Sequence, residues 1–146
     1  MRNAVVIAGG LVAAAVAITL AASLLFQSIP MAELVFLVAA GHALLLGLPA
    51  ALLLASLNKI RWWSAIVGGF LCGAIPTAVW TWPLRFSELK SSGSQWDGEQ
   101  IRDTMIEGVP TAYGWFVYSQ GFSFMGAFGV LGGLAFWVVW ARANAR

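Results

Sequence analysis

Apolar positions in this chain do not recur with the period of an amphipathic helix or strand. They run on almost unbroken through four stretches, Ala4 to Phe26, Leu34 to Leu57, Trp62 to Trp82 and Phe116 to Trp140. Crossing ~30 Å of hydrocarbon takes roughly 20 apolar residues as a helix, and each stretch meets that length. The pattern predicts an all-α membrane protein, a four-helix up-down bundle forming one membrane domain over residues 1–146. Polar residues collect in two short connections and in one ~33-residue loop from Pro83 to Trp115, much longer than the two to eight residues usual between bundle helices. The first stretch follows Arg2 as a secretory signal would. Signal h-regions run about 7 to 15 residues, however, and this one is longer, so it is expected to remain as an anchor.

Inside the long loop, Asp97 precedes Gln100 by three positions in the manner of a capping box. Ile101 and Met105 then fall on one helical face, and Gly108 with Pro110 supplies a stop. That spacing predicts a short helix near Gly98 to Glu107, preceded by the flexible polar stretch Lys90 to Gln95. Exposed aromatics are favoured binding anchors. Trp96, with Asp97, Glu99, Arg102 and Asp103 beside it, is therefore the candidate surface for a protein partner.

Composition strengthens the membrane reading. Of 146 residues 60% are hydrophobic and 10% charged, against about 25% charged in a soluble domain. Charge then supplies an orientation. Arg2, Lys59, Arg61, Arg142 and Arg146 fall on one side of four alternating spans, while the opposite connection, Gln27 to Glu33, has no Lys or Arg. Positive residues stay inside, so both termini are expected in the cytoplasm and the long loop on the other face. That loop carries three basic and five acidic residues. The net charge of +2 thus hides two unlike faces, and scattered topology signals are no basis for a nucleic-acid partner. Trp62, Trp63, Trp137 and Trp140 are expected to mark one membrane surface, and Trp80, Trp82 and Trp115 the other.

Glycines share a depth near the cytoplasmic side: Gly9 and Gly10, Gly47, Gly68 and Gly69, Gly132 and Gly133. Gly69 with Gly73, and Gly129 with Gly133, also have the four-residue spacing that places two of them on one helix face. Close helix packing is expected there. Pro49 and Pro76 each lack an amide proton and leave a helical carbonyl unpartnered. The expected outcome is a kinked but solid bundle, with a shallow cavity at the loop side as the alternative.

His42, the only histidine, lies within the second span, where an ionisable group is expensive. Counting inward from the loop side puts Thr19, Ser123 and Thr77 near its depth. The expectation is an interhelical hydrogen bond from a neutral imidazole to one of these hydroxyls, with a ligand contact as the runner-up. No intramembrane Asp, Glu, Lys or Arg accompanies His42 as a proton relay would require. The sequence carries no second histidine for a zinc site, no phosphate loop and no evident nucleophile–base set. Neither metal nor cofactor is expected, and no enzymatic activity.

The stretch GLPAALLLASLNKIRWWSAIVGGFLCGAIP, with its charged turn, paired Trp, Gly-Gly and Gly-x-x-Pro, resembles small uncharacterised four-helix proteins of the bacterial inner membrane. The resemblance implies a bacterial cytoplasmic-membrane setting and carries no activity. Small multidrug transporters share the length and four spans but have a glutamate within the first helix, which this first span lacks. The expected role is that of an accessory or interaction protein of the assembly or immunity type, embedded in lipid and bound to a protein partner or to itself. An oligomeric transporter or channel is the alternative, and a membrane-embedded enzyme comes third.

Overall fold

A computed structural model describes residues 2–27 and 32–145. Arg146 and most of the connection between the first two spans lie outside the described residues, as do the side chains of Arg2 and Phe86. Four helical stretches are long and apolar enough to cross a membrane. The first is α1 (Arg2–Phe26). The second is assembled from α2 (Ala32–His42), a π-helical segment (Ala43–Gly47) and α3 (Leu48–Ser56). The third is α4 (Trp62–Trp80) and the fourth α5 (Ala112–Asn144).

Local chemistry explains the breaks. Pro49 has no N–H for the carbonyl of Leu45, and the backbone just before it widens into the π turn, where the Leu48 N–H reaches back to Ala43. The tight turn between α3 and α4 is a Schellman motif: Asn58 adopts φ 52°, its N–H donates to Ala55, and the Lys59 N–H donates to Leu54 at 2.8 Å. Ser64 then fastens this turn to α4. Its Oγ accepts the Arg61 N–H at 2.8 Å and lies 2.7 Å from the Lys59 carbonyl.

Small residues control the packing. A Cβ on Gly69 would overlap the carbonyl of Gly129, one on Gly73 that of Met125, and one on Gly133 that of Ala65. These contacts run in opposite sequence directions, so α4 and α5 are antiparallel and touch backbone to backbone. α1 packs on the other side of α5, with Gly10 against Phe136 and Gly132 against Ile18. The buried cluster of Ile7, Leu11, Ala14, Ala51, Ala65 and Phe136 lies toward the end of the bundle that holds the α3–α4 turn, called here the turn end. Trp137 and Trp140 pack against it.

The connection from α4 to α5, at the loop end, is where the structure departs from expectation. After a 3-10 segment (Pro83–Leu89) it forms a three-stranded antiparallel sheet in the order β1 (Gly93–Trp96), β2 (Ile101–Ile106), β3 (Val109–Pro110). The short helix expected near Gly98 to Glu107 is therefore corrected to a strand and its flanking turns, and the fold is not wholly α-helical. Asp97 caps no helix. Its Oδ1 accepts the N–H groups of Glu99 and Gln100 at 2.9 and 2.8 Å, closing the turn that pairs Trp96 with Ile101. The second hairpin turns on Glu107 (φ 48°) and Gly108 (φ 83°), the doubly positive pair of a type I′ turn. A Cβ at Gly108 would also strike the Ser87 carbonyl.

The sheet is locked to the first turn of α5. Thr111 is the N-cap, accepting the Gly114 N–H at 3.0 Å while its hydroxyl donates to the Asp103 carbonyl at 2.6 Å. Its N–H donates to Thr104 at 3.1 Å, and Gly114 lets the Thr104 carbonyl approach closer than any side chain would permit. The 33 residues of α5 span about 50 Å at 1.5 Å per residue, well beyond the ~30 Å of a hydrocarbon core. One helix thus carries a segment long and apolar enough to span lipid and the foundation of the sheet.

Candidate functional site

Two features could serve function: a cavity among the spans and the sheet above it. The cavity has a volume of about 410 Å³ and draws its walls from all four spans. α2 packs on α1, and α4 packs on α5 and meets the second span at the π segment. Between that pinch and the loop end, α2 and α4 form opposite walls. The cavity is open there to the surroundings: Phe26, Leu34 and Val38 line it yet are 57%, 56% and 52% exposed. It reaches from Phe26, Leu34 and Thr77 down to Leu54 and Ser64. The expected solid bundle is corrected to one with a deep crevice, because glycine and alanine on α4 and α5 draw those helices together while the π turn holds span two at a single level.

The polar residues assigned to this region do not bond to one another. His42 Nδ1 lies 2.8 Å from the carbonyl of Val38 in its own helix, and Thr19 donates to Ala15 in its own helix at 2.9 Å. Ser123 is exposed and away from the cavity. The interhelical bond expected of His42 is therefore corrected to an intrahelical one: each group satisfies itself one turn back, which costs no helix rearrangement. Thr77 and His42 nevertheless both line the crevice, with Cys72 and Ser64 as its other polar side chains.

The assigned glycines divide into three kinds. Gly69, Gly73, Gly129 and Gly133 meet across the α4–α5 seam, and Gly10, Gly47 and Gly132 meet side chains of neighbouring helices. Gly9 and Gly68 are corrected. A Cβ on Gly9 would touch only Val139, at 4.0 Å, and one on Gly68 would meet nothing within 4 Å, because Gly68 faces the crevice.

At the loop end, Trp82, Trp115 and Tyr118 form a mutual cluster with ring centroids 5.6 to 5.8 Å apart. The Tyr118 hydroxyl donates to the Ala78 carbonyl at 3.0 Å, an acceptor left over at the C-terminus of α4. Beneath the sheet this leaves a second void, about 320 Å³, lined by Thr77, Thr81, Thr104 and Tyr118 among others.

The sheet's outer end combines apolar exposure with a fixed turn. Trp96 and Ile101 pair across the hairpin and are 60% and 70% exposed. Asp97 is ion-paired with Arg102, whose guanidinium lies 5.7 Å from the Tyr113 ring. The amides of Gln100 and Glu99, aided by Arg102, hold the Asp97 carboxyl below its ordinary value. Asp97 and Arg102 thus shape the hairpin, while Glu99 remains exposed. Asp103 meets Thr111 through its backbone. Ile101, Thr111 and Gly114 carry this architecture without having been singled out as site residues. Their signals were the turn pairs Asp97-Gly98 and Glu107-Gly108 and the N-cap threonine before the last span. Among the described residues no group of three His, Cys, Asp or Glu could hold a metal ion. Comparison with known protein families, curated proteins and solved structures gives no match to this chain.

Proposed function

We propose that the chain is a multi-pass protein of the bacterial inner membrane and acts as an accessory protein that presents its sheet to a protein partner. In this reading the four spans alternate in an up-down bundle. Lys59, Arg61 and Arg142 lie on the cytoplasmic side with both termini, and the net-acidic sheet region projects into the periplasm. The observation that carries the reading is the pair Trp96 and Ile101, two large apolar side chains more than half exposed on a hairpin whose turn is fixed by Asp97. A solvent-facing aromatic beside an aliphatic residue suits a binding anchor, because the hairpin backbone that carries them is already ordered before contact.

A solute channel is less well supported. Conduction needs polar surface along a path, whereas the crevice offers His42, Ser64, Cys72 and Thr77 among many apolar and glycine residues. The test is a photoreactive amino acid at position 96 in intact membranes. The reading expects a crosslink to one protein species, and an otherwise identical probe at Val5, exposed on α1, should not give that product. Equal crosslinking from both positions would refute a docking role for the sheet.

A further inference from the structure

The crevice among the spans and the void beneath the sheet share Thr77 as a wall, so the apolar space in the bundle adjoins a second void at its loop end. Along α4 the crevice runs from Ser64 to Thr77, about 20 Å at 1.5 Å per residue. Its walls are apolar apart from His42, Ser64, Cys72 and Thr77, and that length suits an extended hydrocarbon chain. Its open side lies between α2 and α4, within the stretch that the spans would hold in lipid, so a chain could enter sideways without leaving the bilayer.

We propose that this space binds one acyl chain of a membrane phospholipid, the chain lying along α4 from Thr77 toward Ser64 and the glycerol-ester end seated against the void under the sheet. Thr77 stands at the junction where the ester would lie. Its hydroxyl makes no hydrogen bond among the described residues, so it is available to donate to an ester carbonyl. Bilayer lipid supplies this occupant at high local concentration, and a chain in the crevice gains van der Waals contact with its walls. The inference is independent of whether the sheet recognises a protein.

Gly68 provides the test, since it lines the crevice and a Cβ there meets no atom within 4 Å. Gly41, where a Cβ also meets nothing within 4 Å but which does not line the crevice, is the control. After delipidation and titration with phosphatidylethanolamine in mild detergent, native mass spectrometry should show one retained lipid per wild-type chain and per Gly41→Leu chain. Gly68→Leu should lower that retention at least tenfold, and Thr77→Val several-fold. Equal retention by Gly68→Leu and wild type would overturn the proposal, as would a lipid-free dimer of the wild type. If Gly68→Leu fails to fold, the half-buried Cys72 that lines the same space gives the answer in the wild type. Added phosphatidylethanolamine should slow its alkylation by N-ethylmaleimide at least fivefold, and an unchanged rate would contradict occupancy.

Discussion

Gly69 and Gly129 face each other so closely that the carbonyl of each fills the space a Cβ on the other would need. No side chain can be added at either position without parting α4 from α5. Gly69→Leu, Gly73→Leu and Gly133→Leu should each destabilise the protein by at least the ~1–3 kcal/mol typical of overpacking. Gly41→Leu should stay within about 0.5 kcal/mol of wild type, as surface changes usually do. Thermal unfolding in detergent separates the two groups, and unchanged stability in all three seam variants would exclude backbone contact at this depth.

His42 spends its Nδ1 on Val38 in its own helix. His42→Leu should therefore shift stability by less than about 1 kcal/mol, and His42→Gln should do no better than His42→Leu, since no other helix is held by this side chain. A loss confined to His42→Leu and rescued by Gln would show an interhelical bond instead.

Tyr118 answers a carbonyl that α4 cannot satisfy. Tyr118→Phe removes the bond to Ala78 while keeping the ring contacts with Trp82 and Trp115. The expected cost is about 1–3 kcal/mol for a carbonyl left without its partner, read from the same unfolding curves. A silent substitution would mean that water replaces the hydroxyl.

Asp97 gives the hairpin a defined acid limit. Its folded-state carboxyl titrates below the ordinary 3.8 because of the Gln100 and Glu99 amides. The stabilisation is therefore present above that ordinary value and is lost as pH falls through the lower folded-state value. Nuclear magnetic resonance should show the Glu99 and Gln100 amides shifting only in this acid range and unchanged between pH 5 and 8. Asp97→Asn, which keeps an acceptor oxygen, should preserve the turn, and Asp97→Ala should open it at every pH.

The four long apolar helices were legible in the sequence because unbroken apolar runs of that length have few other readings, and the seam glycines because a four-residue spacing has one geometric meaning on a helix. The hairpin was misread for a physical reason. Ile101 and Met105 satisfy a helical spacing, but Asp97-Gly98 and Glu107-Gly108 bracket too few residues for a stable helix, and Asp97 uses its carboxylate to close a turn. His42 and Thr19 were matched to other spans by depth alone, whereas nearby carbonyls of their own helices were available at no rearrangement cost. The crevice was not legible as such, since it depends on where the π turn before Pro49 holds span two against α4.

Under the proposed function, recognition belongs to the exposed pair Trp96 and Ile101 at the outer end of the sheet. Its most direct measurement is the affinity of the crosslinked partner for purified wild type and for the double variant Trp96→Ser, Ile101→Ser, both confirmed as folded by unfolding temperature. A loss of at least tenfold, about 1.4 kcal/mol, is the predicted result. Full affinity in the folded double variant would contradict the account and move recognition to the spans or to the opposite face.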